Sequence, residues 1–457
     1  MKSNADRTEV KIAYIGGGSR HWAHHLMSDL ALCPLITGQL SLYDLDHAAA
    51  ANNARIGADI FSRPEARTTF HVAAARTPAQ ALKGADFVVC SIEPGPTQMR
   101  YADLEIPARY GIVQPVGDST GPGGILRALR SIPIKAAYAH LIMKHCPKAW
   151  VINYTNPMTL CTAALYAAEP NIKAFGCCHE VFGTQWFLSH LVKDWFGLAA
   201  SPDRREIELD IAGVNHFTFA TAASWRGNDL FPRLRRMTEQ PKWSADHTRV
   251  AQQRIGKKQW FSSDKLIALD LLRRFGALGA AGDRHLAEFV PWYLTSERAL
   301  HRWGVICTPF SWRIKCSRQP RTTKYNHATL TPSGEEGVAQ LLALLGLATC
   351  DTNINMPNRG QMTDAPLGAI VETNAQIRRD RITPVVARPL PPAVAQLVNR
   401  IVSVQQLTLQ AAMTGDRELA FEALLLDPLV HLPTDKARRM FDQMLHYTAA
   451  CLPRALR

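Results

Sequence analysis

Gly176-Cys177-Cys178-His179 and Val214-Asn215-His216 each place a potential metal donor at the end of a short apolar run. The runs, residues 172–175 and 207–212, read as strands. Ligands gather where parallel strands end, so two such turns can close over one pocket. One thiolate and one imidazole are too few for a structural zinc site, which takes four protein ligands. Two protein ligands with open positions suit a catalytic divalent cation completed by substrate oxygens and water. Each residue also fits a plainer role, as a small buried thiol or a hydrogen-bonded core histidine.

A second constellation lies at the start of the chain. The short, mostly apolar run 10–16 leads into Gly16-Gly17-Gly18-Ser19, and a helical pattern with Trp22, Leu26 and Leu30 follows. Strand, glycine turn and helix together leave backbone N–H groups free at a helix N-terminus, where a pyrophosphate binds. Asp44 closes the second strand, 26 residues after Gly18. A carboxylate there meets the ribose hydroxyls of an adenosine and repels a 2′-phosphate, which favours NAD over NADP. His21 stands where the usual fingerprint has its third glycine, and a structural turn could also use such a triplet.

Asn153 and Asn156 bracket a strand end before Pro157, where their amides could meet sugar hydroxyls or a carboxamide, or simply form Asx-turns. The glycine-rich stretch 117–124 carries Asp118 and suggests a lid above the cofactor. Ala281-Gly282-Asp283-Arg284-His285-Leu286 concentrates an acid, a cation and an imidazole, although Asp283 could merely cap a helix.

Positioning these groups requires a large core, and 457 residues supply one, with 47% apolar and 20% charged residues. Strands at 10–16, 39–43, 87–92 and 149–154 alternate with helical stretches at 21–32, 78–84 and 132–144, which implies a doubly wound parallel sheet. After about residue 200 the pattern changes to strands at 206–212 and 217–222, and then to mainly helical sequence. Two domains follow, 1–200 and 201–457.

No run approaches the roughly 18 apolar residues of a membrane span, and the polar opening residues 1–9 hold no signal-peptide core. A cytoplasmic location is expected, with the ten cysteines reduced. The net charge of +13 includes no Lys/Arg block of five or more, which argues against nucleic acid and fits an anionic small substrate.

Taken in order, these motifs resemble glycoside hydrolase family 4, the NAD- and manganese-dependent glycosidases. Asp86-Phe-Val-Val-Cys-Ser91, Asn153 to Met158, Ala212-Gly-Val-Asn-His216, Asn355-Met-Pro-Asn-Arg-Gly360, Leu390-Pro-Pro392 and Met413-Thr-Gly-Asp416 extend the likeness nearly end to end. The resemblance implies an N-terminal Rossmann-type domain and a C-terminal α+β domain of the lactate/malate dehydrogenase type. It makes Cys178 and His216 the metal ligands, and Gly16, Gly17, Gly18, Ser19 and Asp44 the cofactor site. Asp283 becomes the base and His179 the proton donor or relay. Asp118, Asn153, Asn156, Asn215 and Arg284 become substrate contacts. In that family, hydride leaves C3 of the sugar for NAD⁺ and the ketone acidifies the C2 proton. Elimination then expels the C1 leaving group, water adds, and the hydride returns, outside the two-carboxylate scheme.

Arg109-Tyr-Gly-Ile112 and Gly123-Gly-Ile-Leu-Arg127-Ala-Leu-Arg130 resemble the alpha-galactosidase and alpha-galacturonidase branch. Gly16 to Arg20 with Trp22, and the run Asp283-Arg284-His285, resemble its uronic-acid members. A C6 carboxylate needs a cation, and Arg284 offers a planar fork, with Arg127 and Arg130 as alternatives. The expectation is an alpha-galacturonidase working on small uronides, and the family likeness implies a homodimer or homotetramer. Alpha-galactosidase and alpha-glucuronidase are the alternatives. A hydroxy-acid dehydrogenase or a catalytically silent NAD-bound sugar sensor would share the glycine turn without needing Cys178 and His216 together.

Overall fold

The computed structural model describes residues 7–457 except 244 and 326, so residues 1–6 of the polar opening run lie outside the described residues. Six parallel strands form the frame: β1 (Thr8–Ile15), β2 (Ile36–Tyr43), β3 (Phe70–Ala74), β4 (Phe87–Cys90), β5 (Trp150–Asn153) and β6 (Lys173–Gly176). Their spatial order, β3-β2-β1-β4-β5-β6, is that of a dinucleotide-binding sheet, and it reverses direction between β1 and β4. β4 and β5 are buried along their whole length, which is why Phe-Val-Val-Cys and Trp-Val-Ile-Asn are apolar without alternation.

β7 (Ile207–Val214), β8 (Phe217–Trp225), β9 (Asn228–Asp229) and β10 (Leu278–Gly279) make a second, antiparallel sheet. β11 (Cys350–Pro357), β12 (Ile370–Arg378) and β13 (Arg381–Pro384) then return to the first sheet, and β11 pairs antiparallel with β6. The nine-stranded sheet therefore draws three strands from the second half of the chain. A boundary near residue 200 divides the sequence but not this sheet.

The lid expected of the glycine-rich stretch 117–124 is corrected. Gly121 to Gly124 are the buried first turn of the 25-residue helix Gly121–His145, not a lid. A Cβ at Gly123 would fall 2.5 Å from the Asp103 carbonyl oxygen, so the glycine serves close packing. Arg130, fully buried on this helix, forks onto Asp103 at 2.9 and 2.8 Å. Removing one partner of such a pair costs about 3–5 kcal/mol. Phe217, at the start of β8, stacks on Phe289 with centroids 4.7 Å apart, and this pins the helix Asp283–Phe289 against the second sheet.

Candidate active site

The ends of β5 and β6, the β7–β8 turn and the helices Asp283–Phe289 and Phe310–Arg318 converge on a pocket of about 660 Å³. On its wall, donor atoms of Asp118, His216 and His285 lie within 4.8 Å of one another. The two imidazole rings are 3.9 Å apart. Ser119 orders the group. Its hydroxyl donates to Asp118 Oδ1 at 2.7 Å, so the 2.9 Å contact with His216 is an Nδ1–H donated to Ser119 Oγ. That tautomer leaves His216 Nε2 with a free lone pair, the form a metal takes. Burial, then His285, pushes the His216 imidazole down to about 4, so it is neutral near pH 7. Burial opposes the charge on Asp118, but His285, His216, Arg100 and Arg127 hold its carboxyl well below the usual range. A carboxylate with imidazoles is a donor set for a divalent transition cation.

Cys178 lines the same pocket but stands outside that three-residue cluster. Burial, with Glu372 and Glu180 nearby, pushes its thiol well above the ordinary value. It ligates only when a cation takes the place of its proton. The expected pair of Cys178 and His216 thus becomes a wider set, in which Asp118 changes from substrate contact to candidate ligand. Glu180, unmarked in the sequence reading, joins the wall. Its Oε2 accepts from Gly282 N at 2.6 Å, and Oε1 lies 3.5 Å from His285 Nε2. Burial opposes its charge, but His285, His216 and Lys265 hold it down at about 2.

His179 is half exposed at the pocket edge, stacked on Trp22 at 5.6 Å, with Nδ1 3.2 Å from Glu335. The bond to Glu335 raises its imidazole above the ordinary value. Asn156 also faces the pocket; its Oδ1 is buried without a hydrogen-bond partner among the described residues.

Two expected substrate contacts and the expected base are placed elsewhere. Asn153 is fully buried in an Asx-turn, accepting from Thr155 N at 3.2 Å and donating to Thr155 O. Asn215 supports the wall from behind, donating to Glu372 at 3.2 Å and bonding the Cys178 sulfur. Asp283 is the main correction. Its carboxylate accepts from Leu266, Ile267 and Ala268 N at 2.8, 3.1 and 3.1 Å, capping the helix Leu266–Phe275, and it does not line the pocket. A carboxylate so occupied is not a free base. Lys265 reaches the wall in its stead, with Nζ on Thr184 Oγ1 and Ala281 O; burial pushes it below its ordinary value.

The glycine turn follows β1 at the point where the sheet order reverses. Gly16 has φ +93, and a Cβ there would fall 1.9 Å from the Ser91 carbonyl oxygen. Asp44 accepts from Gly18 N at 2.9 Å and from Asp46 N at 3.0 Å, so turn and carboxylate are one unit. Ser19 Oγ accepts from Ala23 N and caps the helix Trp22–Leu32. Asn53, donating to the Gly17 and Ser19 carbonyls at 2.8 Å, completes the loop and carried no sequence signal.

Residues 11–194 match the family 4 glycosyl hydrolase pattern, and residues 211–430 match that family's C-terminal domain. The chain belongs to glycosyl hydrolase family 4. An alpha-galacturonidase of Thermoanaerobacter italicus is 44% identical to this family 4 chain over 97% of its length and 98% of the relative's. An alpha-galactosidase of Bacillus subtilis is 30% identical, covering 92% and 93%. A crystallised B. subtilis protein, provisionally assigned as a glucosidase, superposes with a TM-score of 0.87 at 42% identity, over 96% of this chain and all of that one. A 6-phospho-beta-glucosidase of Thermotoga maritima, solved with manganese, NAD⁺ and glucose 6-phosphate, shares the family 4 fold. Its TM-score is 0.73 at 18% identity, over 97% and 99%.

Proposed function

We propose that this family 4 glycosyl hydrolase is an alpha-galacturonidase, using NAD⁺ and a divalent cation such as Mn²⁺. The single observation that carries the substrate is the 44% end-to-end identity with an alpha-galacturonidase, against 30% for an alpha-galactosidase. The pocket supports it, since buried arginine donors line it without partners among the described residues.

The residues fit both cofactors. Gly16 to Ser19 and Asp44 suit a pyrophosphate and a ribose; Asp118, His216 and His285, with Cys178 beside them, suit the cation. When bound, the two supply reversible hydride exchange at the sugar and Lewis-acid stabilisation of an enediolate. The protein does the rest. Ser119 fixes the His216 tautomer, and Asn156 Oδ1 offers an acceptor for a sugar hydroxyl. His179, whose imidazole the bond to Glu335 raises above its ordinary value, gives a proton to the departing oxygen at C1. Lys265 Nζ takes the proton leaving C2, in place of Asp283. The protein works as a cytoplasmic homo-oligomer on small uronides.

The test is a comparison of kcat/KM on matched alpha-galacturonide, alpha-glucuronide and alpha-galactoside, with NAD⁺ and Mn²⁺ supplied or withheld. Preference for the galacturonide, dependent on both additives, is expected. Preference for the galactoside overturns the substrate, and net NADH formation without cleavage overturns the glycosidase.

A further inference from the structure

Arg284, on the helix Asp283–Phe289, and Arg313, on the helix Phe310–Arg318, line the pocket together. Their donors are not spent on the protein. Arg313 Nε and Nη2 are shut off from solvent and have no hydrogen-bond partner among the described residues, and neither has Arg284 Nε. Among the described residues Arg284 is held by its Nη2, which donates to Pro115 O at 2.8 Å and to Thr308 Oγ1 at 2.7 Å. The Phe261 ring packs 4.9 Å from its guanidinium carbon.

The neighbouring arginines differ. Arg127 forks onto Glu93 and donates Nε to the Asn156 carbonyl at 2.9 Å. Arg130 is spent on Asp103, and Arg100 donates to Val116 O at 2.6 Å beside the same carboxylate. Arg127 and Arg130, the alternative uronate cations expected from the sequence, therefore have no free fork. The carboxylates facing Arg313 are occupied too. Glu288 accepts from Val116 and Gly117 N, and Asp118 belongs to the cluster with His216 and His285.

Unpartnered buried guanidinium donors are costly, and three of them on two arginines of one pocket describe a site missing its anion. We propose that Arg313, together with Arg284, forms a carboxylate subsite that takes the C6 carboxylate of the bound galacturonosyl residue. The inference rests on the alpha-galacturonidase reading and names the residues that make it selective. A neutral C6 hydroxymethyl would leave these donors without an anion, so the subsite rejects galactosides as well as retaining uronides.

The test uses Arg313→Gln and Arg313→Lys in the full chain with NAD⁺ and Mn²⁺. The kcat/KM ratio for alpha-galacturonide over alpha-galactoside is measured beside calorimetric binding of free galacturonate and galactose. The ratio is expected to fall roughly 10- to 100-fold in Arg313→Gln, the range of a lost charge-assisted hydrogen bond, chiefly through KM. Arg313→Lys should recover part of it, and galacturonate binding should weaken while galactose binding does not. An unchanged ratio, or equal losses for both sugars at unchanged Tm, would overturn the subsite. If Arg313→Gln does not fold, the ratio in Arg313→Lys decides by the same criterion. If the wild type cleaves galactosides alone, the substrate reading fails, yet tighter galacturonate than galactose binding lost in the variants would still uphold the anion site.

Discussion

The His216 and His285 rings lie 3.9 Å apart, one from the β7–β8 turn and the other from the helix Asp283–Phe289. Two imidazoles at that spacing beside Asp118 suit a shared cation. Replacing His285 with alanine should weaken Mn²⁺ binding by at least about 10-fold, a loss typical of disturbing a metal site. The paramagnetic signal of free Mn²⁺ measures it without turnover. Affinity equal to the wild type would remove His285 from the site.

Asp283 makes the opposite case. Its three backbone acceptances predict that Asp283→Ala loses a helix cap, at about 1–2 kcal/mol, visible as a lower Tm. Folded variant should keep kcat within about 10-fold of wild type, well short of the loss expected for a general base. Lys265→Met should show the larger loss. A stable Asp283→Ala protein with turnover abolished would return the base role to Asp283.

Asp44 joins the glycine turn to the second strand through Gly18 N and Asp46 N. Asp44→Ala should weaken NAD⁺ binding about 10- to 100-fold, the range for hydrogen bonds to a charged group. Equilibrium titration with NAD⁺ reads this, and unchanged affinity would place the ribose elsewhere.

Asp427 gives a pH dependence separate from catalysis. It accepts from Gly121 N at 2.8 Å and Leu429 N at 2.9 Å, and burial pushes it up to about 6 from an ordinary 3.8. Between those values the folded chain holds a proton that the unfolded chain has released. Its contribution to stability is therefore full at low pH and is lost as pH rises through about 6. The Tm of wild type minus that of Asp427→Asn should fall across this window and flatten above it. A flat difference, or one that rises with pH, contradicts the assignment.

The parallel sheet was legible because β4, β5 and the second half of β1 from Ile12 are apolar runs that end in glycine or polar turns. β11 was not. Its Thr352, Asn353 and Asn355 are buried polar residues, and pairing with β6 and β12 makes it a strand despite its composition. The metal cluster was half legible. His216 stood out at a strand end, whereas the place of His285 depends on how Phe289 stacks on Phe217. Asp283 was misread because its cap reaches back across the chain to Leu266 to Ala268, a relationship no local pattern carries. Arg313 gave no signal, since only the empty surroundings of its donors distinguish it from other arginines.

The most direct measurement is hydrolysis of an alpha-galacturonide in D₂O with NAD⁺ and Mn²⁺, followed by NMR of the released sugar. Oxidation at C3 with elimination across C2 and C1 predicts deuterium at C2 of the galacturonate and no accumulated NADH. Galacturonate released with its C2 proton fully retained would contradict that route and leave direct displacement at C1.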